Sequence, residues 1–135
     1  MFIIIRIIAG KNKGCRLRTK EGLTTRPTLD RIRENVFNII RDRIPGSHVL
    51  DLFAGSGAIG LECLSRGAES AVFIEKDREA FGILKENVAK TRQEARSRCF
   101  NKSYEAYLRG CRDRFDLISA DPPYGLDAYE DCLVT

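Results

Sequence analysis

The chain contains a single histidine, and its five cysteines (Cys15, Cys63, Cys99, Cys111 and Cys132) never fall at CxxC spacing. So thin a ligand supply argues against a zinc centre, and no metal is expected. An odd, scattered set of thiols argues equally against a disulfide framework and fits the reduced cysteines of a cytosolic protein. No uncharged apolar run approaches the roughly 18 residues that cross a bilayer, so no membrane association is expected. The apolar opening MFIII ends at Arg6 without a small-residue cleavage site, which argues against a signal peptide and makes the cytoplasm the expected location. Internal repeats, low-complexity tracts and Pro/Gly/Ser linkers are also missing. What remains is 135 residues, 43% apolar and 31% charged, the profile of one soluble globular unit.

Acidic residues are absent from the first twenty positions, which carry six basic side chains: Arg6, Lys11, Lys13, Arg16, Arg18 and Lys20. Over residues 1–45 there are eleven Lys and Arg against four Asp and Glu; the remaining ninety positions hold twelve against fifteen. The net charge of +4 therefore hides an uneven distribution. Two readings follow: a solvated basic hairpin, or a basic lip that meets a phosphate backbone.

Residues 3–8 and 15–18 read as two short strands joined through Gly10 and Gly14, a basic β-ribbon occupying positions 1–24. In RPTLDRIRENVFNII, Thr28 is placed to cap a helix and Asp30 to sit in its first turn. Leu29, Ile32, Val36 and Ile39 recur at helical spacing, and Pro45-Gly46 ends the run. From there strands at 48–52, 71–75, 98–102 and 115–120 alternate with helices at 58–66, 78–91 and 104–108. Such alternation predicts a doubly wound α/β fold with a mostly parallel sheet over 25–135. Its ligands bind at the carboxyl ends of the strands, at the topological switch point.

The first of these strands runs into DLFAGSGAIGLE, where Gly55, Gly57 and Gly60 fit G-x-G-x-x-G. Glu75 follows Gly55 by twenty residues at the end of the next strand, where a carboxylate can accept both ribose hydroxyls. The pattern alone says nucleoside cofactor, and NAD or FAD would be the first choice. Asp51 argues against it, because a carboxylate at that strand end repels a diphosphate but attracts an ammonium or a sulfonium. S-adenosylmethionine has both cations and a carboxylate suited to a helix N-terminus. Asp51 could instead simply cap the loop.

The fourth strand delivers Asp121-Pro122-Pro123-Tyr124 to the neighbouring strand end. The paired prolines stiffen the backbone and leave carbonyls free as acceptors. An exocyclic amine held by the Asp121 carboxylate and the Pro122 carbonyl would keep its lone pair aimed at an incoming methyl, with a fixed anion facing the developing charge. Tyr124 offers a face for an unstacked base. Asp-Pro-Pro is also good turn chemistry and could do no more than end a strand. No cysteine accompanies it, so covalent attack on a pyrimidine ring is not supported.

RIIAG at 6–10, RPTLDRIRENVFN at 26–38, LDLFAGSGAIGLECLSRGA at 50–68 and DPPY at 121–124 together resemble the bacterial 16S ribosomal RNA guanine-N2 methyltransferase family. DPPY by itself also occurs in methyltransferases of DNA amino groups; the RPTLDRIRE segment and the basic ribbon point to the ribosomal group. The resemblance implies a Rossmann-like, S-adenosylmethionine-dependent enzyme acting on the small ribosomal subunit, a monomer when complete. It implies that Asp51, Gly55 and Gly57, with Phe53 among them, hold the donor's methionine part, and that Glu75 holds its ribose. Arg26, Pro27 and Thr28 would cover the donor, and Asp121 to Tyr124 would hold the base. Ser103 stands where the family often places Asp or Asn for the adenine amine. Only fourteen residues follow Asp121, whereas the family's sheet continues, so the C-terminal strands are expected to be missing and the fourth strand to be an exposed edge. The competing expectations are a DNA amino-group methyltransferase, an NAD-binding oxidoreductase, and a truncated chain that binds without turnover.

Overall fold

The computed structural model describes residues 4–19 and 27–120. Two short strands, β1 (Ile4–Arg6) and β2 (Arg16–Arg18), pair antiparallel, with Arg6 opposite Arg16. Leu17 points inward and is 1% exposed, while Arg6, Arg16 and Arg18 share the outer, solvent-facing side. Four parallel strands form the main sheet in the order β5-β4-β3-β6: β3 (His48–Asp51), β4 (Ser70–Ile74), β5 (Ser97–Phe100) and β6 (Leu117–Ser119).

Side chains alternate across this sheet, as the pleat requires. Val49, Ala71 and Phe73 enter one apolar cluster, and Leu50, Val72 and Ile74 enter the other. The larger cluster takes in Leu61 and Leu64 of α2 (Ala58–Ser65) and Leu84 and Val88 of α3 (Arg78–Lys90). Ile7 and Leu17 join the same cluster, so the ribbon shares its core with the sheet. On the opposite face α4 (Tyr104–Gly110) contributes Tyr107 to the smaller cluster. The chain thus winds outward from β3 through β4 to β5, then crosses back over the other face to β6. Right-handed crossovers force the helices to change sides when the winding direction reverses. The switch point falls between β3 and β6, where Asp51 lies opposite Ser119. Among the described residues β6 is an edge strand with Ile118 exposed, and no helix is long and apolar enough to cross a membrane.

Local signals account for the helix limits. Asp77 caps α3 by accepting from the Ala80 amide at 2.9 Å, and Gly67, at φ +105°, stops the chain beyond α2. Strand ends differ from the sequence reading by two residues at most; β5, for instance, closes at Phe100, leaving Asn101 and Lys102 beyond it. Two expectations for α1 (Pro27–Ile40) are corrected. Pro27 takes the first helical position, which suits its fixed φ, so the capping position precedes it and Thr28 is the second residue of the helix. Over its second half the helix also buries a different pair of apolar residues: Phe37 is in the core with Ile40 packed against it, while Val36 is 47% and Ile39 82% exposed. Apolar residues occupy two overlapping stripes of this helix, and the larger Phe37 takes the inside, where the Arg66 guanidinium sits 4.9 Å from its ring centre.

Candidate active site

Asp51 ends β3, is 2% exposed, and opens the glycine loop. The loop starts pinned to both neighbouring strands: the Leu52 amide donates to the Ser119 carbonyl and the Ala54 amide to the Ile74 carbonyl, each at 3.0 Å. Its three glycines look alike in sequence but have different causes. At Gly60 a Cβ would lie 2.2 Å from the Phe73 ring, so close packing of α2 on the sheet demands glycine there. At Gly57, where φ is +86°, a Cβ would meet the Leu84 side chain at 2.6 Å. Among the described residues, Gly55, at φ +55°, has no atom within 4 Å of that position; of the three glycines it is the one that leaves space where a ligand can approach.

Glu75, one residue past β4, closes the other side. Its Oε1 accepts the Gly55 amide at 2.9 Å and its Oε2 the Asp77 amide at 2.8 Å. Each oxygen keeps a second lone pair, so the carboxylate can brace the loop and still receive hydroxyl donors. Asn101 supports this turn, donating from Nδ2 to the carbonyls of Glu75 (2.9 Å) and Lys76 (3.2 Å). The Phe53 and Tyr104 rings meet with centres 5.1 Å apart, tilted by 49°, and form an aromatic wall. Ser103, beside Tyr104, caps α4 by accepting from the Ala106 amide at 3.2 Å.

Negative potential extends beneath the loop. The Cys63 thiol on α2 is pushed up to about 12, first by burial, then by the carboxylates of Asp51 and Glu62, with Arg66 opposing them.

Asp51, Phe53, Gly55, Gly57 and Glu75 are therefore gathered at the carboxyl ends of the adjacent strands β3 and β4, with Ser103 at the neighbouring β5–α4 junction. Pro27 and Thr28 open α1. Arg26 and Asp121, Pro122, Pro123 and Tyr124 lie outside the described residues. Glu62, Asn87 and Asn101 escaped the sequence reading. Glu62 alone left a trace there, as an acid inside the otherwise apolar run AIGLECL.

A parallel sheet switching at an acid-tipped strand, followed by this loop, places the chain in the class of Rossmann-like domains on which methyltransferases are built. A likeness to the M. jannaschii tRNA m1G37 methyltransferase, at 18% identity and TM-score 0.71, supports the fold alone. The family model described as conserved hypothetical protein 95 matches residues 5–135, and the chain belongs to that family, the one of ribosomal RNA small subunit methyltransferase D. It is 37% identical over 129 residues to the Escherichia coli K12 protein of that name, covering 96% of this chain and 65% of the relative. With the Haemophilus influenzae counterpart it shares 34% over 132 residues, covering 96% and 68%. The Escherichia coli protein yhhF superposes with TM-score 0.85 at 37% identity, covering 98% of this chain and 73% of that one. A hypothetical protein of Thermus thermophilus gives 0.84 at 36%, covering 96% and 77%. The chain thus spans about two thirds of the length of the curated relatives it matches.

Proposed function

We propose that the protein transfers a methyl group from S-adenosylmethionine to the exocyclic N2 of a guanine in 16S ribosomal RNA. The observation that carries this reading is the buried Asp51 at the end of β3, where the glycine loop begins, with Glu75 holding the Gly55 amide from the end of β4. Two carboxylates around an open glycine suit a ligand with cationic groups and a ribose, and they oppose a diphosphate. When bound, S-adenosylmethionine supplies an electrophilic methyl on a sulfonium. Asp51, Phe53, Gly55 and Gly57 would hold its methionine part and Glu75 its ribose. Ser103 would meet the adenine, and Arg26, Pro27 and Thr28 would cover the pocket from α1.

On the acceptor side, Asp121 and the Pro122 carbonyl would accept the two N2 hydrogens, Pro123 would stiffen the turn, and Tyr124 would stack the base. These residues follow β6 in sequence, and the pairing of its Ser119 with Asp51 supports an acceptor role for them next to the donor groups. Asp121 would stabilise the developing charge, and solvent would take the proton. The ribosomal substrate is supported by the relatives' names and by the arginine face of the ribbon, formed by Arg6, Arg16 and Arg18.

Calorimetry with S-adenosylhomocysteine and with NADH tests the donor site; tighter NADH binding overturns the reading. In methyl incorporation into small ribosomal subunits, Asp121→Ala should lose about a hundredfold or more while keeping S-adenosylhomocysteine affinity. Unchanged turnover refutes the role of Asp121, methylation of duplex DNA in preference to subunits refutes the acceptor, and binding without any incorporation marks the chain as a donor-binding module.

A further inference from the structure

Asn87 lies in the middle of α3, 1% exposed, and its side chain makes no bond to its own helix. Its Nδ2 donates to the Arg18 carbonyl at the end of β2 and to the Ser56 carbonyl in the glycine loop, both at 2.8 Å. Its Oδ1 accepts the Arg18 amide at 3.0 Å. The amide orientation is the one that satisfies all three partners, since a flip would set an oxygen against two carbonyls. One buried side chain thus joins the basic ribbon, α3 and the loop.

Its effect on the loop is specific. The Ser56–Gly57 peptide is held at both ends, its carbonyl by Asn87 and its N–H by the Ala54 carbonyl at 2.8 Å. The Ala54–Gly55 peptide is held by Glu75. Between these two fixed units lies the Gly55–Ser56 peptide, beside the open side of Gly55. The pitch of this peptide is therefore set by Glu75 from the sheet side and by Asn87 from the helix side.

We infer that Asn87 is a positioning residue. It shapes the loop for the donor without reaching the donor's space, and it locks the RNA-facing ribbon to that same loop. The inference rests on the donor site proposed above. Replacing its donor group by an acceptor, as in Asn87→Asp, sets oxygen against the carbonyls of Arg18 and Ser56. We expect S-adenosylhomocysteine to bind at least tenfold more weakly to this variant, with the donor KM rising and kcat at saturating donor nearly kept. Leu17→Ala, which loosens the ribbon's packing and leaves the amide alone, separates positioning from general destabilisation; it should bind S-adenosylhomocysteine as the unaltered protein does. A folded Asn87→Asp variant within twofold of the unaltered affinity overturns the inference, as does an equal loss in Leu17→Ala. Should Asn87→Asp fail to fold, amide exchange in the unaltered protein decides. S-adenosylhomocysteine must slow exchange of the Arg18 N–H, which is bonded to Asn87; unchanged exchange there refutes the link. No S-adenosylhomocysteine binding by the unaltered protein at all would instead overturn the donor site itself, and this inference with it.

Discussion

Removing the charge of Glu62 should cost the fold about 3–5 kcal/mol. Glu62 is 0% exposed on α2, and its carboxylate accepts the Ile8 amide at 2.8 Å, the Ala9 amide at 3.1 Å and the Arg66 Nε at 2.9 Å. The first two bonds anchor the segment that leaves β1, and the third neutralises an arginine whose side chain is only 11% exposed. Glu62→Gln keeps the length but replaces one acceptor oxygen by an NH₂, so at least one N–H of the three partners is left facing another donor. Hydrogen bonds to a charged group contribute about 1.5–3 kcal/mol each, and the uncompensated Arg66 adds to the loss. A domain of this size holds about 5–15 kcal/mol in total, so the variant should fold but marginally. With a urea slope of about 1.5–2 kcal/mol/M, the midpoint should fall by about 2 M in circular dichroism. Tyrosine fluorescence can serve as a second probe, since the chain has four tyrosines and no tryptophan. A loss below about 1 kcal/mol would refute the reasoning, because it would mean that the ribbon does not depend on this carboxylate.

Two alanine substitutions should separate the glycines by role. Gly60→Ala drives a methyl into the Phe73 ring and should lose about 1–3 kcal/mol in urea unfolding with little effect on ligand affinity once folded; an unchanged midpoint would contradict the packing argument. Gly55→Ala meets no atom of the described residues and should cost only about 1–2 kcal/mol for its left-handed φ, yet weaken S-adenosylhomocysteine at least tenfold in calorimetry; full affinity would place the ligand elsewhere. The Cys63 thiol, pushed up to about 12, stays protonated at pH 8, so it should react with Ellman's reagent about a thousandfold more slowly than an ordinary thiol until the chain unfolds. Rapid native labelling of Cys63, read by peptide mapping, would contradict its burial beside two carboxylates.

The alternation of strands and helices after residue 48 was legible because buried parallel strands are nearly continuous apolar runs and their helices carry one apolar stripe. The glycine loop was legible as a string, but its division of labour was not. Whether a glycine faces Phe73, Leu84 or open space depends on residues from other elements. For the same reason Glu62 and Asn87 were missed, since their partners lie 54 and 69 positions away in sequence. The face of α1 was misjudged because apolar residues at 36, 37, 39 and 40 offer two stripes of similar strength. Periodicity cannot choose between them, and the volume of Phe37 does.

The charge arrangement around the loop bears on selectivity in a way that the glycine motif does not. Two like charges about 4 Å apart at an effective dielectric near 20 repel by about 4 kcal/mol, close to a thousandfold in affinity, and opposite charges gain as much. At the proposed donor site a diphosphate would face the field of Asp51 from the end of β3, and Glu75, already accepting two backbone amides, would not move without releasing the loop. The field of Asp51 also reaches inward, where it helps to raise the Cys63 thiol. Selectivity of this kind is electrostatic and partly screened, so it should weaken as salt rises for a cationic ligand and for the arginine face of the ribbon alike. At the proposed site the glycines would set how near a ligand can come, and the carboxylates which sign of ligand is welcome there.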